Sequence, residues 1–413
     1  MDVLCQRCAG LDVSKRDAKV CVRVTGPGGR VTVETTTWTA MTNQVRELAQ
    51  YLLAEHVQLV IIEATSDYWR QFYFLLEDAG LTVELVNARD ARNLPGRKTD
   101  VSDAAWLAQL GAYGLVRGCF VPPADIRRIR DLTRARTAIT GERSREIQRL
   151  EKMLEDSGIK LSSVATDITG VSGRAMLEAL ISGQDDPRVL ADLAKTRMRP
   201  KIPALIEALT GRFNDHHAFM ARLFLDRIDA HTKDLQRVDA RLEELMAPFQ
   251  GARELLATIP GVSGLVADVI IAETGADMTV FATPGHLASW GGTAPGANES
   301  AGRVKSTKTR PGNRYLKRAL GTAAMAISRS QTTYFGAKYR RIKSRRGPMK
   351  ALVAVEHSIL TAVWHMLTTG EVYRDPGPDY FAKRQPARTR ARAVKQLEEL
   401  GYTVTLEPLT HTG

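Results

Sequence analysis

The chain has 413 residues, 44% hydrophobic and 25% charged, the composition of a globular protein long enough for two or three packed domains. Its formal net charge of +12 favours a polyanionic partner, nucleic acid first and an anionic membrane surface second. No run reaches the roughly 18 apolar residues a membrane span needs, the first residues lack a basic-then-apolar signal pattern, and four cysteines do not make a disulfide framework, so a cytoplasmic protein is expected.

Two strands open the chain, "CAGLDVS" and "AKVCVRV", the second with Val20, Val22 and Val24 at period two on one face. Cys5 and Cys8 form a CxxC, but no second pair stands at zinc spacing, so they read as small residues entering the first strand. The "GPGG" stretch is hairpin chemistry ahead of a third β-rich run, "RVTVETTTW". A helix over 41–55 follows, then "VQLVIIEA", whose continuous apolar run predicts a buried strand. "YWRQFYFLLEDAG" predicts a helix ended by Gly80, and "LTVELVNA" a fifth strand. Three hairpin-linked strands followed by helix, strand, helix and strand predict an α/β sandwich.

Acids stand at the ends of these elements. Asp12 lies among apolar neighbours in "AGLDVSK", where an unpaired carboxylate is costly unless it binds something. Glu63 closes a buried run in "VIIEAT". Asp100 and Asp103 open a helix in "GRKTDVSDAAWLAQL", behind Arg97 and Lys98. One Asp there would be an ordinary cap, but two on one face can also hold a divalent cation if other carboxylates join them. Strand one, strand four and the following helix are where RNase H-like folds gather their carboxylates. Four such groups repel unless an ion such as Mg²⁺ neutralises them. Arg97 and Lys98 would then steer DNA toward that ion.

From about 125 the pattern is helical. Ile129, Leu132, Ile139, Ile147, Leu150 and Leu154 make a stripe that Arg136 and Arg143 interrupt, and both are candidates for RNA contact. Phe224, Ile228, His231, Leu235, Val238, Leu242 and Leu245 are spaced 4-3-4-3-4-3, a coiled-coil seam that predicts a homodimer, with the 126–154 helix as the alternative partner within the chain. "LLATIPGVSGLVADVIIAETG" is a helix, a turn and a helix. It reads either as a helix–hairpin–helix that offers backbone N–H groups to phosphate or as a plain packing hairpin.

Beyond it, Arg303, Lys305, Lys308, Arg310, Arg314, Lys317 and Arg318 follow one another with no acid between them, in a Gly-, Ser- and Thr-rich loop that leads into a helix. Phosphate contact explains such a loop better than a solvated face does. "YRRIKSRRG" and "KRQPARTRARAVK" extend the basic theme, the latter as a mobile arm. The expected domains are 1–124, 125–250 and 251–370, with a basic tail over 371–413.

"GLDVSK", "IIEAT", "KTDVSDA", "IPGV" and "APGANESAG…RPGNRYLKRAL" together resemble the DEDD transposases of bacterial insertion sequences, over roughly residues 8 to 365. The resemblance implies an RNase H-like (RuvC-like) N-terminal domain with Asp12, Glu63, Asp100 and Asp103 as its metal-binding tetrad. It implies that Ser300, in "NESAG", is the nucleophile of a C-terminal transposase domain. It also implies donor and target DNA chosen by a non-coding bridge RNA. From the residues alone Ser300 reads as a turn residue. The mechanism these readings suggest is a Mg²⁺-dependent composite site between the domains, in trans if the long helix dimerises. Two rivals stand beside it: a metal-only nuclease or junction resolvase with water as nucleophile, and a non-catalytic nucleic-acid-binding scaffold.

Overall fold

The computed structural model describes residues 2–92, 102–296 and 298–407. The chain divides into two compact units, Met1–Val121 and Pro122–Gly413.

In the first unit the strands β1 (Arg7–Val13), β2 (Asp17–Thr25), β3 (Val31–Thr39), β4 (Leu59–Glu63) and β5 (Val83–Val86) form one sheet in the order β3-β2-β1-β4-β5. The β3-β2-β1 half is antiparallel, and β1-β4-β5 is parallel. Alternation along each strand divides the core between two faces. Leu11, Val20, Ile62 and Leu85 pack beneath Val45, Leu48 and Leu52 of α1 (Thr42–Ala54) and Phe72 and Leu76 of α2 (Trp69–Asp78). Cys8 and Ile61 point the other way, onto Ala91 of α3 (Ala88–Arg92) and Trp106, Leu107 and Leu110 of α4 (Asp103–Ala112). A central strand covered on both sides must be apolar throughout, which is why β4 reads as a continuous run. This mixed sheet with helices on both faces is compatible with an α/β RNase H-like domain.

The second unit is largely helical. Its stem is an antiparallel pair, α5 (Ala124–Asp156) and α10 (Asp215–Met246). Four short helices lie between them: α6 (Leu161–Val164), α7 (Val171–Ile181), α8 (Pro187–Asp192) and α9 (Ile202–Ala208). Of the two partners expected for the heptad seam, the helix within the chain is the one that α10 meets. α10 meets α5 within the chain, and Phe224, Ile228 and Leu242 are buried without a dimer. Arg136 and Arg143 do not obstruct the pairing, because α10 offers polar partners at their layers. Arg136 grips Asp239 (Nε–Oδ1 2.5 Å), and Arg143 Nε donates to Thr232 Oγ1 at 2.9 Å.

Next come α11 (Gln250–Ala257) and α12 (Gly264–Thr274), then α13 (Pro284–Trp290) and a hairpin of β6 (Asn298–Ser300) and β7 (Arg303–Ser306). Helices α14 (Arg314–Ser328), α15 (Tyr334–Arg346) and α16 (Pro348–Thr369) complete the body. Nine consecutive residues of α12, Val266–Thr274, are buried, so this helix is the axis around which the others pack. α16 has the length and apolarity of a membrane span, 22 residues at a mean hydropathy of 1.3. Here Val355, Ile359, Leu360 and Val363 bury one of its faces against the neighbouring helices. The tail expected as a mobile arm is helical in α17 (Tyr380–Arg384) and α18 (Pro386–Glu399). Phe381 stacks on Tyr334 at 5.4 Å, with Arg341 over its ring at 4.5 Å.

Candidate functional site

Chain register brings the predicted carboxylates of the first unit to one end of the sheet. β1 and β4 run parallel with Leu11 beside Ile62, so the next residues, Asp12 and Glu63, are neighbours at the carboxyl ends of adjacent strands. By alternation both share the face of Cys8 and Ile61, which is the face that α4 covers. α4 can lie directly on β1 because Gly10 has no side chain: a Cβ there would sit 2.2 Å from the Ala104 carbonyl oxygen and 2.4 Å from the Ala108 nitrogen. That contact fixes the start of α4, where Ser102 Oγ accepts the Ala105 N–H at 3.3 Å and Asp103 occupies the first turn. Asp12 and Asp103 are half-buried. Glu63 is 6% exposed, and Thr65 Oγ1 donates to its Oε1 at 3.5 Å. Asp100, Arg97 and Lys98 lie outside the described residues.

Among the described residues no group of three or more His, Cys, Asp and Glu side chains is close enough to hold a metal ion. The donor chemistry nevertheless fits a hard divalent cation: carboxylate oxygens only, from two strand ends and a helix start, with no thiolate or imidazole among them.

In the second unit Ser300 stands at the tip of the β6–β7 hairpin, paired with Arg303 across a two-residue turn. Ala301 and Gly302 have φ of 51° and 74°, the left-handed pair that a type I′ turn demands and that matches the twist of the flanking strands. Ser300 is thus the last strand residue before the turn rather than part of it. It is exposed, and as cross-strand partners Ser300 and Arg303 present their side chains on one face. The legs of the hairpin are joined at its base. Pro295 bridges Thr309, and Gly296 N–H donates to the Lys308 carbonyl at 3.0 Å. Below them Gly292 and Gly312 cross so closely that a Cβ on Gly312 would lie 2.4 Å from the Gly292 nitrogen.

Arg303, Lys305, Lys308, Arg310, Arg314 and Arg318 are exposed and Lys317 is half-buried. None of the seven forms an ion pair among the described residues. The arginines of the stem and of α7 differ. Arg136 and Arg143 are engaged across the stem, Arg174 binds Asp229, and Arg222 binds Glu178. The hairpin and the start of α14 thus carry a run of cations without ion pairs among the described residues.

Two buried acids on α12 escaped the sequence reading. Glu273, fully buried, receives both arms of Arg134 at 2.8 Å and Asn313 Nδ2 at 2.5 Å. Asn313 in turn caps α14, its Oδ1 accepting the N–H groups of Tyr315 and Leu316. Glu273 therefore ties the stem to the helix that carries Arg314, Lys317 and Arg318. Asp268, 2% exposed, meets Arg253 at 2.8 Å, and burial still pushes its carboxyl up to about 6 against the pull of that guanidinium. The available signal was two lone acids in an apolar run, "LVADVIIAETG", with a surplus of arginines in α5. In the turn between α11 and α12, Gly261 (φ 81°) is seated on α14, where a Cβ would lie 2.5 Å from Ile327 Cγ1. Close packing of that turn thus accounts for its glycine.

A family model described as a transposase, of the DEDD IS110 type, matches residues 9–158. A second, described as the transposase IS116/IS110/IS902 family, matches residues 253–340. No curated protein matches the chain.

Proposed function

Because this chain belongs to the IS110 family of DEDD transposases, insertion-sequence enzymes that act on DNA, we propose that it cuts and rejoins DNA strands through a phosphoserine at Ser300. The observation that carries the reading is the exposed serine beside Arg303, on a hairpin whose cations form no ion pair among the described residues. Ser300 Oγ attacks the scissile phosphorus and loses its proton. The Oγ–P bond forms as the bond from phosphorus to one deoxyribose oxygen breaks, and the departing oxygen takes up a proton. A hydroxyl of the strand to be joined then attacks the phosphoserine and restores Ser300, so one phosphodiester replaces another with no outside energy source. Arg303, on the same hairpin face, stabilises the charge that builds on the phosphoryl oxygens. Lys305, Lys308 and Arg310 hold the strand along the return leg.

Asp12, Glu63, Asp100 and Asp103 are the residues that would hold Mg²⁺. When bound, the ion neutralises phosphoryl charge and polarises a phosphoryl oxygen. We further propose a non-coding RNA partner that selects donor and target DNA, held by the same surplus of positive charge.

The test is incubation with DNA of the element's own ends and Mg²⁺, followed by denaturing gels with and without protease. The wild type forms a protease-sensitive adduct. Ser300→Ala loses it while remaining folded, and Asp12→Asn and Glu63→Gln lose it with nucleic-acid binding retained. An adduct that persists in Ser300→Ala assigns the nucleophile elsewhere, with Ser306 examined first. Free cleaved ends with no adduct in the wild type would favour the hydrolytic nuclease.

A further inference from the structure

A cleft of about 700 Å³ opens between the return leg of the serine hairpin and helices α15 and α16, a volume typical of sites for a single small ligand. Residues 349–350, 353–354 and 357 recur at helical spacing and turn one face of α16 to it. Met349, Val353 and Ala354 make that wall apolar, and Thr307 and Lys308 of the hairpin's return leg stand opposite. Lys308 and Lys350 are exposed at the rim. Lys338 and His357 lie further in. Burial pulls both below their ordinary values, His357 also because Lys338 is near, and Lys338 is hydrogen-bonded to Ser358. His357 lines the inner end of the cleft, with the Thr293 backbone beside it.

Apolar surface, an inner end lined by Lys338 and His357, and two rim cations correspond to the three parts of a nucleotide: a flat apolar face, a polar edge and a phosphate. We propose that this cleft takes one nucleotide extruded from the strand on which Ser300 acts, its base against Met349, Val353 and Ala354, its edge toward His357 and its phosphate between Lys308 and Lys350. The inference rests on the reading of Ser300 as a DNA nucleophile. Lys308 belongs to the same return leg as Arg303 and Lys305, so a strand laid along those cations reaches the cleft without a break. A base still paired in a duplex cannot enter it, hence the extrusion.

The test uses the full-length protein and an oligothymidylate of about 20 nucleotides carrying 4-thiothymidine, cross-linked by light and mapped by mass spectrometry, with burial of the base against the apolar wall expected to be worth about tenfold in affinity. Cross-links should fall in the peptide that contains Met349–His357. Ala354→Phe, and independently Val353→Phe, should reduce them about tenfold with filter retention of the oligonucleotide unchanged. Plain oligothymidylate should compete about tenfold better than an abasic deoxyribose-phosphate chain of equal length. Cross-links only outside that peptide, or equal competition by the abasic chain, overturn the proposal, and both of these outcomes are read on the wild type alone. Failure of the wild type to retain any oligonucleotide would instead overturn the DNA reading beneath it.

Discussion

Ala301 holds a left-handed conformation that suits glycine, and it does so beside the proposed nucleophile. For an alanine that backbone costs about 1 kcal/mol, and backbone strain of this kind gathers at functional sites. Ala301→Gly should therefore leave unfolding unchanged or raise its midpoint by a degree or so, on the order of 0.5 kcal/mol after the entropy that glycine adds to the unfolded chain. If the strain holds Ser300 in place, adduct formation should slow in the same variant, which a time course of protease-sensitive adduct measures. Asp268 carries a pH signature. Its carboxyl titrates near 3.8 when free and at about 6 in the fold, so the folded state binds that proton more tightly. The stability it contributes is complete below about pH 4 and is lost as pH rises through 6, amounting to at most about 3 kcal/mol. Asp268→Asn should flatten the urea midpoint between pH 4 and pH 7, and a slope as steep as the wild type's would show that the titration lies elsewhere. Neither residue was legible in the sequence. "SAGR" lacks the Asn-Gly that announces a type I′ turn, Asp268 finds its partner on the preceding helix, and Glu273 finds its own on helices distant in the chain.

Strands β1 to β5 follow the alternation and apolar runs of the sequence because the sheet is buried in a pattern that period two records directly. The stem could not be read so simply. A heptad seam states that a helix has a partner without saying which, and Arg136 and Arg143 looked like obstacles to α5 filling that role. A long side chain can cover apolar surface with its stem while its head reaches a polar group, as Arg136 does at Asp239. Leu242, 3% exposed, is consequently a core residue of the second unit. Leu242→Asp should cost about 3–5 kcal/mol by burying an unpaired charge, and it should lower the thermal midpoint at every protein concentration. A change in mass by light scattering with the midpoint preserved would instead return the seam to an interface between copies of the chain. Asp12, Glu63 and Asp103 were legible as candidates because each stands at or beside the end of an element. Gly10, which lets α4 approach the sheet, gave no such signal, since in sequence it is one more small residue in a strand.

Over the whole molecule the net charge of +12 is less informative than its distribution. Arginines of the stem and of α7 are neutralised by Asp239, Asp229, Glu178 and Glu273, whereas seven cations of the hairpin and α14 form no ion pair among the described residues. Binding of single-stranded nucleic acid should fall with salt at a slope set by those contacts. Replacing Arg303, Lys305 and Lys308 together with Ala should reduce the log–log slope by about 2, while replacing Arg136 and Arg174 should leave it unchanged and weaken the fold. Equal loss of slope from both sets would mean that the stem and α7 also lie against the phosphates.

The hairpin that carries Ser300 imposes a rule of parity on its own variation. Its legs are locked where Gly292 crosses Gly312 and where Pro295 meets Thr309. Along the strands above that lock, each added residue turns the next side chain to the opposite side. One residue inserted between Gly296 and Ser300 would aim the serine away from Arg303's face, whereas two inserted in each leg would lengthen the arm and keep the aim. Chains built on this plan can thus differ in reach by paired steps, and an unpaired step requires a compensating bulge such as the one already present between Asn298 and Glu299.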